Sequence, residues 1–261
     1  MKKAICVVPA LMLLGACGAK QAAIDEVQYG VTSASAVGRT ASLAMDAMKG
    51  MVSACATVTT ACASYPCTTG AVMISLGAGC PLPLGGTASG SVMVTGSWSS
   101  ADQAMLSQTY TNTQVAAAGK ALALANVTQV SASRSGNTLT VKYSGANAAA
   151  GASGGAVAVG ASSNWTVAVD NKGTADPSDD QLTIDATSAS AGAFAGARVA
   201  TVNAAVLDPA CRQNPTSGRA DITQVSGGLV PVPTITKIQF HAACDGQAEV
   251  DGSTTTLTLL P

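Results

Sequence analysis

The chain has 261 residues, of which 48% are hydrophobic, 3% aromatic and 10% charged, and its formal net charge is −1. Alanine supplies much of the hydrophobic count but buries little surface, so we expect a thin core per residue in which covalent crosslinks gain importance. The near-neutral charge comes without a basic cluster, which argues against nucleic acid and anionic lipid headgroups as partners.

The chain begins with the pattern of an export signal. Lys2 and Lys3 provide a positive start, and the stretch 4–14 that follows is uncharged and mostly aliphatic. Eleven residues are too few to cross a hydrocarbon layer of about 30 Å as a helix that rises 1.5 Å per residue. We therefore predict a signal peptide over residues 1–16 and not a membrane-spanning helix.

The end of this signal carries the residues Leu14-Gly15-Ala16-Cys17. This tetrapeptide resembles the lipobox of bacterial lipoproteins, which implies that the signal is cut before Cys17 and that its thiol takes a diacylglycerol. The resemblance also implies acylation of the new amino terminus. Gly18 stands where lipoproteins kept in the inner membrane often carry aspartate, so the implied destination is the outer membrane. The alternative is an ordinary secretory signal whose cleavage site happens to precede a cysteine.

The predicted mature chain has 245 residues. Without Lys2 and Lys3 it keeps 11 of the 13 basic residues against 14 acidic ones, a formal charge of −3. None of its segments has 18 or more uninterrupted apolar residues, so the lipid on Cys17 is the predicted membrane attachment.

A short tether over 17–23 leads into a predicted amphipathic helix over 24–54. Apolar or small residues recur there at steps of three and four: Val27, Val31, Ala34, Gly38, Ala41, Met45, Met48 and Val52. A second face carries Gln28, Ser35, Arg39, Ser42, Asp46 and Lys49. Because an apolar stripe normally marks a face that packs on the core, we expect this stripe to pack on the protein's own sheet.

Six cysteines remain after the signal and the lipidated residue: Cys55, Cys62, Cys67, Cys80, Cys211 and Cys244. In an oxidising envelope this even number predicts disulfides. We expect Cys211 to pair with Cys244, because no other cysteine lies near them in sequence. The other four would form two bridges within a Cys-rich loop over 55–81. A zinc site made by these four is the alternative, although their spacings lack paired C-x-x-C motifs.

The region 82–261 is predicted to be β structure, because the hydrophobic period changes to two. The clearest strands lie around 138–143, 165–170 and 182–185, with weaker ones at 91–97, 121–131, 155–161, 193–204, 220–225, 236–242 and 254–259. Turn residues separate them, as in Ser135-Gly136-Asn137. Such short connections favour antiparallel hairpins.

The predicted fold class is mainly β with one N-terminal amphipathic helix. We expect a large antiparallel sheet, curved or partly closed and packed on the helix, with 24–261 folding as one domain. A β-solenoid is the structural alternative, but the chain shows no fixed repeat of 20–50 residues.

The sequence suggests no catalytic residue and no cofactor. Gly151, Ser153 and Gly155 match the G-x-S-x-G pattern of hydrolases, but a strand-like run follows the serine where that motif needs a helix. His241 is the single histidine and is expected on the polar face of its strand, solvated and without a catalytic partner.

An acidic segment follows the predicted strand at 165–170. Asp170, Asp176, Asp179 and Asp180 are the weak candidates for a calcium site, since oxygen ligands in a turn suit Ca²⁺. Their spacing does not match an EF-hand loop. A solvated hairpin turn is the favoured interpretation, because Asp, Asn, Gly and Pro are the residues that turns use.

These observations lead to two expectations for function. The first is a lipoprotein tethered to the outer membrane with a non-enzymatic structural or binding role in the envelope, the partner being an envelope protein. The alternative is a carrier of lipid or another hydrophobic ligand between curved sheet and helix. The carrier requires a cavity lined by Trp98, Trp165, Leu182, Phe194 or the methionines of the helix.

Overall fold

The computed structural model describes most of the chain after the first thirteen residues. The described residues are 14–49, 58–59, 64–65, 67–68, 71–76, 80–81, 87–117, 120–124, 126–144, 148–152, 155–159, 162–174, 179–191, 197–211, 214–225 and 233–257.

One long helix, α1, spans Leu14–Lys49. It begins ten residues before the predicted start at 24, so the predicted tether over 17–23 is helical. Five of its seven residues, 19–23, are alanine, lysine or glutamine, which are good helix formers and continue the helix toward its N-terminus. Residues 50–54 of the predicted helix lie outside the described residues.

The rest of the described chain forms strands, as the period of two predicts. Their bounds are β1 Val58–Thr59, β2 Ser64–Tyr65, β3 Cys67–Thr68, β4 Ala71–Ser75, β5 Cys80–Pro81, β6 Thr87–Ser100, β7 Gln103–Ala117, β8 Lys120–Leu124, β9 Val127–Ser135, β10 Thr138–Ser144, β11 Ala148–Ala152, β12 Gly155–Val159, β13 Ser162–Asp170, β14 Gln181–Ala191, β15 Ala197–Leu207, β16 Ser217–Val225, β17 Pro233–Gln239, β18 Gln247–Val250 and β19 Ser253–Thr256.

Every described pairing in the sheet is antiparallel. The main path runs through β4, β6, β7, β9, β10, β13, β14, β15, β16, β17, β18 and β19. The second half of β7 pairs with β8 instead of β9, and β8 leads to a branch of β11 and β12. The short strands β1, β2 and β3 extend the β4 edge, and β5 pairs with β6.

The sheet wraps around α1. The helix contacts β4 and β6 near one end of the main path and β17 near the other. It also contacts seven of the strands that lie between them or on the branch. Among the described residues the two ends of the path do not pair, so the sheet curves without closing. The predicted fold class, a large curved antiparallel sheet packed on one N-terminal helix, is confirmed.

The helix is buried on more sides than the sequence predicts. Its apolar stripe packs in the core as expected, with Ala34 and Ala41 fully buried and Met45 only 1% exposed. The second face is covered as well, because Gln28, Ser35 and Ser42 are all buried. The physical reason is the curvature of the sheet, which covers the helix from both sides.

The helix approaches the sheet closely at Gly38. A Cβ atom on Gly38 would lie 2.6 Å from Cγ1 of Val167 and 3.4 Å from Cγ2 of Val169, both on β13. Because both valines are fully buried and branched at Cβ, neither side chain has room to turn away.

We expect Gly38→Ala to lower the free energy of unfolding by about 1–2 kcal/mol, since overpacking outweighs the better helix propensity of alanine. Urea unfolding measures this change. Val167→Ala removes the clashing methyl group, so the cost of the double variant should be less than the sum of the two single costs. Independent, additive costs would contradict the assigned contact.

A buried polar network ties α1 to β7. Tyr110 Oη donates a hydrogen bond to Gln108 Oε1 at 2.5 Å, and Gln108 Nε2 donates to the carbonyl oxygen of Val37 at 3.1 Å. Burial raises the pKa of the Tyr110 hydroxyl, and a hydrogen bond with Thr40 opposes this shift in part. The network therefore holds Tyr110 in its neutral form.

This shift predicts a loss of stability in alkali. Tyrosine in the unfolded chain titrates near pH 10, while folded Tyr110 stays protonated, so its contribution is complete below about pH 10 and is lost as the pH rises further. The free energy of unfolding should fall by up to about 1.4 kcal/mol per pH unit from this group. In Tyr110→Phe the fall should be shallower, as urea unfolding between neutral and alkaline pH would measure. Equal slopes in the two proteins would contradict the assignment.

Candidate functional site

The predicted lipidation site lies in the first turn of α1. Cys17 is helical, although its side chain, like those of all residues from 14 to 23, lies outside the described part. The first described core residue of the helix is Ile24, which is 3% exposed. Ile24 lies seven residue steps along the helix from Cys17, a rise of about 10 Å at 1.5 Å per residue. A lipid on Cys17 would thus be joined to the core by a short helix.

The predicted disulfide between Cys211 and Cys244 is confirmed. Their Cα atoms lie 5.4 Å apart and their sulfur atoms are bonded. Cys211 is buried, whereas Cys244 is exposed. The bond joins the turn after β15 to the turn after β17.

Asn214 organises the same two turns and was not singled out by the sequence. Its side chain is fully buried, and Nδ2 donates to the carbonyl oxygens of Pro215 at 2.8 Å, Ala243 at 3.1 Å and His241 at 3.3 Å. Oδ1 accepts a hydrogen bond from the backbone N–H of Gly246 at 2.9 Å. Both ends of the amide are therefore used.

The other predicted disulfides lie largely outside the described part. Cys67 is on β3 and Cys80 is on β5, and both strands belong to the β4–β6 edge of the sheet. The side chains of these two cysteines are not described, and Cys55 and Cys62 fall outside the described residues. Their pairing stays a prediction.

His241 follows β17, which ends at Gln239 and not at the predicted residue 242. Its side chain is 36% exposed, and Nε2 lies 3.9 Å from Oδ1 of Asp245 in the same turn. The predicted place of His241 on a strand is therefore wrong, because the residue lies in the turn after β17, where it is partly exposed beside Asp245.

The acidic segment is the hairpin connection between β13 and β14. Asp170 Oδ1 accepts a hydrogen bond from Lys172 N, and both carboxylate oxygens of Asp179 accept from the hydroxyl group of Thr174. Each of these carboxylates therefore has a partner within the turn. Asp176 lies outside the described residues.

Asp180 departs from the predicted solvated turn, because it is only 2% exposed. Arg39 on the helix donates from Nη2 to the carbonyl oxygen of Asp180 at 3.4 Å. Burial lowers the pKa of the Arg39 guanidinium group, and the negative charge of Asp180 opposes this shift. This pair fastens the hairpin to the helix. Among the described residues, no three His, Cys, Asp or Glu side chains are placed to hold a metal ion.

The G-x-S-x-G match spans a β hairpin. Ala152 at the end of β11 pairs with Gly155 at the start of β12, and Ser153 between them lies outside the described residues. Antiparallel strands thus flank the serine, where the hydrolase motif has a strand and a helix.

The side chains named for a carrier cavity are parts of the core where they are described. Trp165 and Leu182 are 3% and 0% exposed. The ring of Trp165 stacks with that of Tyr143, and the ring centroids lie 6.4 Å apart. Trp98 packs against the same core. Phe194 lies outside the described residues. The helix itself occupies the concave side of the described sheet.

An open depression of about 350 Å³ lies on the outer face of the sheet, on β6, β7 and β9. It is lined by Thr95, Gly96, Ser97, Met105, Leu106, Ser107 and Gln129. Met105 is 48% exposed, and Met73 and Met93, which face each other across β4 and β6, are 45% and 41% exposed. The residues that line the depression carry no charge.

This surface is not among the sites that the sequence predicts. The alternation of apolar positions along β6 is the signal that could have indicated it. Met93 lies between Val92 and Val94, and both valines are buried. A methionine in that phase faces the solvent side of its strand.

Comparisons with protein-family models, with curated proteins and with solved structures found no match for this chain. Within the described residues, α1 does not have the sustained hydropathy that a helix needs to cross a membrane.

Proposed function

We propose that the chain is a lipoprotein tethered to the outer membrane, with a non-enzymatic structural or binding role in the cell envelope. The observation that carries this proposal is the tetrapeptide Leu14-Gly15-Ala16-Cys17 after an uncharged segment of signal length. The structure adds that Cys17 belongs to the same helix that fills the concave side of the sheet.

Two features of the fold support a non-enzymatic role. The described acidic side chains that the sequence singled out serve structural contacts, Asp170 and Asp179 within a turn and Asp180 beside Arg39. The exposed methionines and the uncharged depression lie on the outer face, where a partner has access. Methionine suits such a surface, because its flexible thioether side chain adapts to different partners.

The experiment is to express the full chain in a bacterial host and to measure the mass of the N-terminal peptide from purified membranes. The proposal expects a peptide that begins at Cys17 with a diacylglyceryl group and an acylated amine. Cys17→Ser is the control and should be released from the membrane fraction. An unmodified Cys17, or an intact residue 1 in the membrane-bound protein, would overturn the proposal.

The outer-membrane assignment has its own test. Density-gradient separation should place the unsubstituted chain in outer-membrane fractions, and Gly18→Asp should move it toward the inner membrane. Recovery of the unsubstituted chain in inner-membrane fractions would overturn the assignment while leaving the lipid in place.

A further inference from the structure

The two ends of the sheet are distinguished by the direction of the helix. Asp46, near the C-terminal end of α1, lies 2.6 Å from Nη2 of Arg134, and Arg134 is one residue from the end of β9. Arg39 reaches the carbonyl oxygen of Asp180, just before β14 begins. The C-terminal end of the helix therefore lies at the end of the sheet where β9 ends and β14 begins, which we call the turn end.

The N-terminal end of α1 points the other way. A helix of 36 residues is about 54 Å long at 1.5 Å per residue, so Cys17 projects toward the end of the sheet where β15 and β17 begin and β16 ends. We call this the anchor end. A lipid on Cys17 would hold the anchor end close to the bilayer surface. The helix between them rises about 10 Å from Cys17 to Ile24.

Exposed apolar side chains lie at the anchor end. Val199 is the third residue of β15 and is 38% exposed, and Ile235 is the third residue of β17 and is 56% exposed. Thr223 on β16 pairs with both, so the three side chains form one row across three strands. Their neighbours Ala200 and Ile222 are buried, which places the row on the outer face.

The turn end has the opposite character. Its described residues include the charged side chains of Asp102, Asp170, Lys172, Asp179 and Asp208. Water solvates these charged groups readily, whereas the transfer of an exposed isoleucine or valine side chain out of water lowers the free energy. The fold is thus polar at the turn end and bears an uncharged apolar row at the anchor end.

We propose that the row Val199, Thr223 and Ile235 rests on the lipid bilayer and sets the orientation of the domain on the membrane. This inference rests on the proposed lipid anchor at Cys17. The anchor holds the anchor end near the bilayer, and the row then buries its apolar side chains at the boundary between headgroups and acyl chains. The contact needs no basic cluster, in agreement with the net charge of −3 that the 245 residues after the signal carry.

The test uses the lipidated full chain in vesicles of zwitterionic phospholipid with bromine on the acyl chains, which quenches nearby tryptophan. Ile235→Trp and, as a second variant, Val199→Trp should lose the emission that the added tryptophan contributes. Met105→Trp is the matched control, because Met105 is similarly exposed but lies three residues from Asp102 at the turn end. Its added emission should remain.

The outcomes separate this inference from the lipid anchor. If the emission of the tryptophans at 199 and 235 is not quenched while Cys17 carries lipid and the chain remains on the vesicles, the inference is wrong and the proposed lipid anchor is retained. Equal quenching at 105 and 235 would also overturn the proposed orientation. If Cys17 is unmodified and the chain does not bind vesicles, the proposed function itself fails, and this inference fails with it.

Discussion

Replacing Asn214 with aspartate is expected to lower the free energy of unfolding by about 3–5 kcal/mol, the cost of a buried charge without compensation. The substitution keeps the size of the side chain but replaces Nδ2 with an oxygen. That oxygen would face the carbonyl oxygens of Pro215, His241 and Ala243, to which Asn214 now donates. Urea unfolding at neutral pH measures the loss.

The pH dependence of this variant identifies the cause. Burial and the facing carbonyl oxygens should raise the pKa of the new carboxyl group, so the cost is largest above that pKa and falls as the pH drops and the group becomes a donor again. Asn171→Asp is the matched control, because Asn171 Oδ1 accepts from Gly173 N and an aspartate oxygen keeps that bond. It should change stability by less than about 0.5 kcal/mol. Similar costs in the two variants would contradict the role assigned to Nδ2.

The alternation of the sequence predicts most of the sheet, and the one long strand that it misses explains where the signal fails. In β7 the buried positions are Ala104, Leu106, Gln108, Tyr110, Thr113 and Val115. Two of these are polar, and the step from Tyr110 to Thr113 is three residues instead of two. The phase changes at Asn112, which has a positive φ of 50° at an irregularity in the pairing with β6. A bulge of this kind shifts the pattern that sequence reasoning relies on.

The same limit applies to strands that a turn divides. The alternation predicts one strand over 121–131, but the chain forms β8 and β9, which pair with different halves of β7. Asn126 lies between them, and its Oδ1 accepts a hydrogen bond from the backbone N–H of Tyr110 at 2.8 Å. The division depends on this contact between distant residues, and no local pattern encodes it.

The helix illustrates what periodicity cannot supply. Steps of three and four correctly predict that Val27, Val31 and Met45 face the core. They do not predict that Gln28 and Ser42 are buried as well, because that depends on how far the sheet curves. Small residues on the polar face allow this enclosure, since serine requires little space and can bond to the helix backbone, as Ser33 Oγ does to Gly30 O at 3.1 Å.

The candidate site likewise has one feature that the sequence predicts and one that it does not. Two arguments were sufficient to predict the bond between Cys211 and Cys244: the oxidising envelope implied by the export signal, and the distance in sequence between these two cysteines and all the others. The role of Asn214 was not predictable, because its partners His241, Ala243 and Gly246 are about thirty residues away in the sequence and come together only in the folded chain.

Removing the disulfide with the pair Cys211→Ser and Cys244→Ser is expected to cost about 3–4 kcal/mol, because the bond closes a loop with a sequence separation of 33 and limits the unfolded chain. The variant should unfold at lower urea concentration than the unsubstituted protein under non-oxidising and non-reducing conditions. Its unfolding slope against urea should rise, because an unlinked chain exposes more surface when it unfolds.

A second comparison separates the crosslink from the packing of the buried Cys211 side chain. Cys211→Ser alone and Cys244→Ser alone both lose the bond, but only the first places a hydroxyl group in the buried position. If the crosslink dominates, the two single variants and the double variant should lose similar stability, within about 1 kcal/mol of one another. A large cost for Cys211→Ser beside a small one for Cys244→Ser would assign the effect to packing and contradict the crosslink argument. Asn214 should still join the two turns in these variants, so the native fold is expected to persist, at reduced stability, in all three.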